Sequence, residues 1–192
     1  MKLKYVDGSK IRNTLDPNFG VIGSSKVYAY IPSGEIWFDK LYLSEKEHFL
    51  KIHLFELRLM KRMSYESARG MVEKKFRENG SIPEFVVKKI NYKGFTLKYV
   101  DGRIIRKFID PKFIFGCHSA GLGRHFLSKY LGRKEIWLDI RQGEKEMKFT
   151  LIHEYEEAKL MLKGMKYNDA HDFALAFEKV ARRKAGANFL QD

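Results

Sequence analysis

Two short segments, GEIWFDK (34–40) and KEIWLDI (134–140), alternate apolar and polar positions and are rich in β-favouring side chains. Each predicts a strand. KYVDGSKIR and KYVDGRIIR predict strand, tight turn and strand, because Asp-Gly accepts the positive φ of a type I′ hairpin. The Asp-Pro pairs of LDPNF and IDPKF predict bends, since a residue before proline avoids the helical region. VYAYI (27–31) and EFVVKKI (84–90) predict two further strands. A pair of helices closes each pattern. The first pair is expected at about 44–62 and 64–78, with Ser44 and Ser64 as caps. The second is expected at about 144–163 and 168–184, with Gly164 as the stop and Asn168 as a cap.

The order of these elements repeats. LKYVDGSKIRNTLDPNF, from Leu3, matches LKYVDGRIIRKFIDPKF, from Leu97, and the two EIW strands follow in step. FELRLMKRMSYESA, from Phe55, then matches YEEAKLMLKGMKYNDA, from Tyr155, with a small insertion. This is read as a tandem duplication. The expected fold class is α+β, each copy a small antiparallel sheet plus a helical hairpin, with the two copies packed as a pseudo-dimer. The first copy takes residues 1–80 and the second 95–192. Residues 81–94 form a linker that can hold a strand.

The stretch TLIHEYEEAKLMLKGMKYNDAH (150–171) carries the candidate chemistry. His153 and Glu157 are four apart and share one helix face, the spacing with which two ligands grip one metal ion. Glu154 is turned about 100° away along the helix. In zinc peptidases the equivalent glutamate takes a proton from the attacking water. A third ligand has to come from elsewhere. If the helices fold back at Gly164, His171 lands near Glu157 and becomes that ligand. Glu178, two turns beyond His171, serves as a fourth ligand or as an outer partner for a histidine. KEIWLDI would run past the site as a sheet edge able to pair with a peptide. With the Leu-Met pairs aligned, Ile52, His53, Glu56 and Arg69 stand in the first copy where His153, Glu154, Glu157 and His171 stand in the second. The first copy is therefore degenerate as a metal site.

The strand, IHEYEEAKLM, GMKY and DAHDFA together resemble the zincin-like metallopeptidases. The likeness is to a group of small proteins, often encoded by phages and mobile elements, in which H-E-x-x-E is followed by G-x-x-Y-x-x-A-H. It spans about 134–180. It implies zinc as cofactor, His153, Glu157 and His171 as ligands, Glu154 as general base and a peptide or protein as substrate. The fifth position of the motif is Glu157 rather than the histidine of H-E-x-x-H.

Composition adds limits. With 44% hydrophobic residues the chain can bury a core. A single cysteine, Cys117, excludes an internal disulfide and a Cys-rich zinc knuckle, and fits a cytoplasmic setting. No apolar run is long enough for a membrane span, and MKLKYVDGSK lacks a signal-peptide core. Lys and Glu are abundant and Gln scarce, a thermophile-like balance. The 37 basic against 24 acidic side chains give +13, which opens a rival reading: a non-catalytic nucleic-acid-binding protein, or a protein-interaction module, built from two repeats. Tyr28, Tyr30 and Trp37 would then offer a stacking face for bases. GCHSAGLGRHF (116–126) offers a glycine-rich loop with Arg124 for an anion, His118 as a further ligand, and Cys117 as a nucleophile beside His118 or His125.

Overall fold

The computed structural model describes residues 1–120 and 126–188. Gly121, Gly123, Arg124 and His125 of the expected anion-holding loop lie outside them. The chain is α+β, with two small mixed sheets. In the first, β1 (Lys2–Val6) lies parallel to β3 (Glu35–Asp39), and β2 (Ile22–Ser24) lies antiparallel to β3. In the second, β5 (Phe95–Val100) lies parallel to β7 (Glu135–Asp139), flanked by β4 (Val86–Tyr92) and by β6 (Gly116–His118), both antiparallel. The strand orders are β1-β3-β2 and β4-β5-β7-β6. Parallel central pairs replace the antiparallel sheets expected from the sequence.

The reason lies at Asp-Gly. The chain does not turn back into a hairpin at the Asp-Gly that follows Val6 or Val100. Asp7 and Asp101 cap two short helices, α1 (Gly8–Thr14) and α4 (Gly102–Phe108), by accepting hydrogen bonds from the N–H groups of Lys10 and Arg103. The glycines are needed for space rather than for positive φ. A Cβ on Gly8 would stand 1.9 Å from Asp39 Oδ2, and one on Gly102 2.0 Å from Asp139 Oδ2. Each glycine N–H instead donates to that aspartate, at 3.2 Å in both cases. This contact comes from the far end of the parallel neighbour strand, so a local reading of Asp-Gly misses it. Type I′ geometry occurs at Lys93–Gly94 (φ 50° and 84°), where β4 turns into β5. The segment 27–31, expected as a strand, is a run of turns closed by Val27 and Tyr28 N–H bonds to the Ser24 carbonyl.

The helices fall where periodicity puts them: α2 (Lys46–Leu59), α3 (Tyr65–Phe76), α5 (Gly143–Leu162) and α6 (Tyr167–Lys184). Ser64 caps α3 as expected, whereas Ser44 sits inside a 3₁₀ turn, Lys40–Glu45. Asn168 lies within α6, whose cap position is Lys166. Gly164, at φ 93°, reverses the chain between α5 and α6. Tyr28, Tyr30 and Trp37 contact one another in turn as tilted rings and pack on the core residues Ile11, Phe19 and Ile31.

Buried arginines join the two halves. Arg12 donates to Asp39 and the Phe19 carbonyl of its own half, and to Glu146 of the other at 2.9 Å. Arg106 donates to Asp139 and the Phe113 carbonyl, and to Glu45 of the other half at 2.8 Å. Core packing also crosses over, with Ile114 and Phe115 lying against Val21, Phe38, Tyr42 and Phe49. Glu146 further accepts from Arg182 on α6 and from Ser9.

Glu146→Ala is expected to cost about 3–5 kcal/mol, because it removes the carboxylate shared by two buried guanidinium groups; urea unfolding measures this. Burial alone would raise the Glu146 pKa, but Arg182 and Arg12 outweigh it and hold it below its ordinary 4.5. Its stabilisation is present above that value and is lost as pH falls through the lowered one. Unfolding titrations below about pH 4.5 are expected to be less steep for Glu146→Gln than for wild type.

Candidate metal centre

The helical turns of α5 carry His153 and Glu157 inward together, and the reversal at Gly164 lays α6 antiparallel beside them. His171 arrives from the first turns of α6. Glu157 Oε2 stands 3.2 Å from His153 Nε2 and 2.7 Å from His171 Nδ1, and the two ring nitrogens are 3.2 Å apart. Four ligand atoms around one zinc ion stand roughly 3.3–3.6 Å from one another, from bond lengths of about 2.0–2.2 Å in a tetrahedron. A small outward shift therefore fits these three around one ion. Among the described residues, this is the group of His, Cys, Asp and Glu side chains able to hold a metal.

The surroundings fix each member. His153 Nδ1 lies 2.9 Å from Glu178 Oε2, and the other Glu178 oxygen accepts from Arg182 Nε at 2.8 Å. Both Glu178 oxygens are thus engaged, one with His153 and the other with Arg182. A carboxylate behind a ligating imidazole sets its tautomer and orientation. His118, on β6, reaches the other Glu157 oxygen, Oε1, at 2.8 Å. It therefore braces Glu157 from behind; its own Nδ1 is buried without a partner among the described residues. Tyr167 stacks on His171, with ring centroids 5.6 Å apart.

The electrostatics follow from this crowding. Burial opposes a charge on His153, but hydrogen bonds with Glu157 and Glu178 outweigh it and push its pKa up to about 10. Burial likewise opposes a charged Glu157, yet bonds with His118, His153 and His171 hold its pKa well down. Glu154 goes the other way: burial, with Glu157 nearby, raises its carboxyl above the usual range. Its Cγ packs close to Gly116, where an added Cβ would come within 3.1 Å of it and 2.9 Å of Thr150 Cγ2. Gly116 thus lets α5 approach the sheet and seats Glu154.

Two cavities meet at this group, of about 520 and 360 Å³. Arg69, Ile114, His153, Glu154, Tyr167 and His171 line both. β7 is not the edge beside them: it is buried between β5 and β6. The strand at the end of that sheet is β6, whose Gly116, Cys117 and His118 line the larger cavity. Burial raises the Cys117 thiol well above its ordinary value, which disfavours the thiolate a nucleophile needs.

The first half meets the same problem differently. Glu56 is buried beside the Lys112 ammonium, which also donates to Tyr65 Oη at 2.9 Å. His53 is buried with Nε2 unpartnered among the described residues, and burial together with Lys112 lowers its pKa to about 4. Sequence reasoning missed Lys112, the brace from His118, and the Arg182 link from Glu178 to Glu146. The arginines had one visible signal, the Ile-Arg pair repeated at 11–12 and 105–106. Comparison of the chain with protein-family models, with curated proteins and with solved structures gave no match.

Metal analysis of untagged protein is expected to give about one zinc per chain, absent from His153→Ala and His171→Ala. Glu178→Gln is expected to keep the zinc with affinity lowered about 10–100-fold, as competition with a chelator would measure.

Proposed function

We propose that the second half is a zinc-dependent hydrolase site, acting on peptide bonds, and that the chain is a duplicated pseudo-dimer whose first half has no metal group of its own. The observation that carries the reading is the convergence of His153 Nε2, Glu157 Oε2 and His171 Nδ1 at the junction of two cavities, with Glu154 beside them. When bound, zinc supplies a Lewis acid that polarises a carbonyl oxygen and eases deprotonation of the attacking water.

The protein's own groups supply the rest. Glu154 holds a raised pKa, so its carboxylate is a stronger base than a solvated one and can take the water's proton and later pass it to the leaving amine. Glu178, steadied by Arg182, orients His153. His118 holds one Glu157 oxygen so that the other faces His153 and His171. The β6 edge, in place of the β7 edge expected from sequence, offers backbone groups for an extended substrate. The +13 charge independently favours contact with an anionic polymer such as nucleic acid; none of these cleft residues is assigned to it.

Glu154→Gln separates binding from chemistry. It is expected to keep its zinc and to cleave a mixture of unstructured peptides about 10²–10⁴-fold more slowly than wild type, read by mass spectrometry of the products. A zinc-loaded wild type that leaves every peptide intact would refute the hydrolase reading.

A further inference from the structure

Helix α6 turns small and charged residues inward and large apolar ones outward. Its buried positions are Ala170, Ala174, Glu178 and Arg182. Phe173, Phe177 and Val180, at i, i+4 and i+7, share another face and are 53%, 49% and 47% exposed. Exposed apolar residues scattered singly are ordinary, but three on one face make a continuous patch over two turns. The stripe belongs to the second half. In the alignment that sets Arg69 against His171, Met71, Lys75 and Glu78 stand against Phe173, Phe177 and Val180. The first half builds its own helical hairpin, α2 and α3, without such a stripe.

The two ends of the stripe carry opposite charges. Asp169 lies in the first turn of α6 and Lys184 in the last, and both are exposed. At 100° per residue, these two and the three apolar residues fall within an arc of about 80°, and the charges stand about 22 Å apart along the axis. A second α6 running antiparallel across a two-fold axis therefore lays its Lys184 against Asp169 and its Val180 against Phe173, with Phe177 of both copies beside the axis. Parallel pairing would set like charges together. The stripe is thus complementary to itself in one orientation. An anionic lipid surface fits less well, because Asp169 and Asp172 are both exposed at the N-terminal end of α6.

We propose that two copies of this chain associate through α6, as a two-fold antiparallel helix pair with Phe173, Phe177 and Val180 at its centre and Asp169–Lys184 ion pairs at both ends. The proposal stands apart from the metal centre and requires neither zinc nor catalysis. One helix per copy buries little area, so the dimer is weak, with Kd on the order of 10–100 µM. Repulsion between two chains of net charge +13 favours the monomer at low salt.

The test is sedimentation equilibrium of the full, nuclease-treated chain from about 5 to 500 µM, a range that brackets this Kd. The salt is about 0.15 M, where distant charges are screened while ion pairs in contact still count. Wild type is expected to show a monomer–dimer equilibrium. Phe177→Ser is expected to raise Kd about 10–100-fold, since each dimer loses the half-exposed area of two rings. Asp169→Lys and Lys184→Asp are each expected to raise it about 5-fold, the scale of two exposed ion pairs per dimer, and their combination to restore the wild-type value. Both charge reversals oppose the α6 dipole, so recovery in the double variant cannot come from a firmer helix. All these positions are exposed, and circular dichroism is expected to show unchanged helix content. A monomer at every concentration, a dimer indifferent to Phe177→Ser, or a double variant no tighter than the single ones overturns the proposal. A monomer that binds anionic phospholipid vesicles and releases them on Phe177→Ser also overturns it, and assigns the stripe to lipid.

Discussion

Two guanidinium groups, Arg12 and Arg106, lie in the interior with about 1% of their surface exposed. A charge taken out of water costs several kcal/mol unless it is well paired, so everything around these two is constrained. Each binds an aspartate at the end of its own half's central strand, a backbone carbonyl after its own short helix, and a glutamate from the other half. Aromatic rings of the opposite half cover both: Phe115 lies over Arg12, and Tyr42 and Phe49 lie over Arg106. This one arrangement sets the distance between strand and helix and holds the halves together. It also excludes a side chain at Gly8 and Gly102. From Glu146 it runs outward through Arg182 and Glu178 to His153. The His153–Glu157–His171 group is thus tied by charged hydrogen bonds to the centre of the fold.

The two halves hold a buried carboxylate in different ways. Glu56 is neutralised by a lysine reaching over from the second half. Glu157 is met by three histidines. An ammonium on a tethered side chain is a permanent counter-charge. An imidazole, when neutral, ligates a metal ion, which an ammonium cannot do. The difference between the two corners is therefore a handful of side chains on two helical hairpins, Ile52, His53 and Arg69 on α2 and α3 against His153, Glu154 and His171 on α5 and α6.

Much of this was legible in the sequence, because it depends on local periodicity. The four long helices and both EIW strands follow from local periodicity, and the reversal at Gly164 and the meeting of His153, Glu157 and His171 follow from spacing along one hairpin. What was not legible depends on partners far along the chain. Asp7-Gly8 suits both a hairpin turn and a helix start, and the choice is made by Asp39, 31 residues away from Gly8. That contact in turn imposes the parallel register Val6↔Asp39, which no alternation pattern encodes. His118 was read from the sequence as a candidate further ligand in a glycine-rich stretch; its place against Glu157 comes from the pairing of β6 with β7. VYAYI has strand composition, yet its tyrosines are taken up by ring packing and by hydrogen bonds to Asn18, Gly20 and Asp16 instead of by a sheet.

The most direct test of the metal centre is anomalous diffraction at the zinc absorption edge from a crystal grown with one equivalent of zinc. A single strong peak within about 2.3 Å of His153 Nε2, Glu157 Oε2 and His171 Nδ1 is expected. An empty group, with zinc only at surface carboxylates or histidines, would contradict it and leave Glu157 and its histidines as a buried charge cluster with a structural role alone.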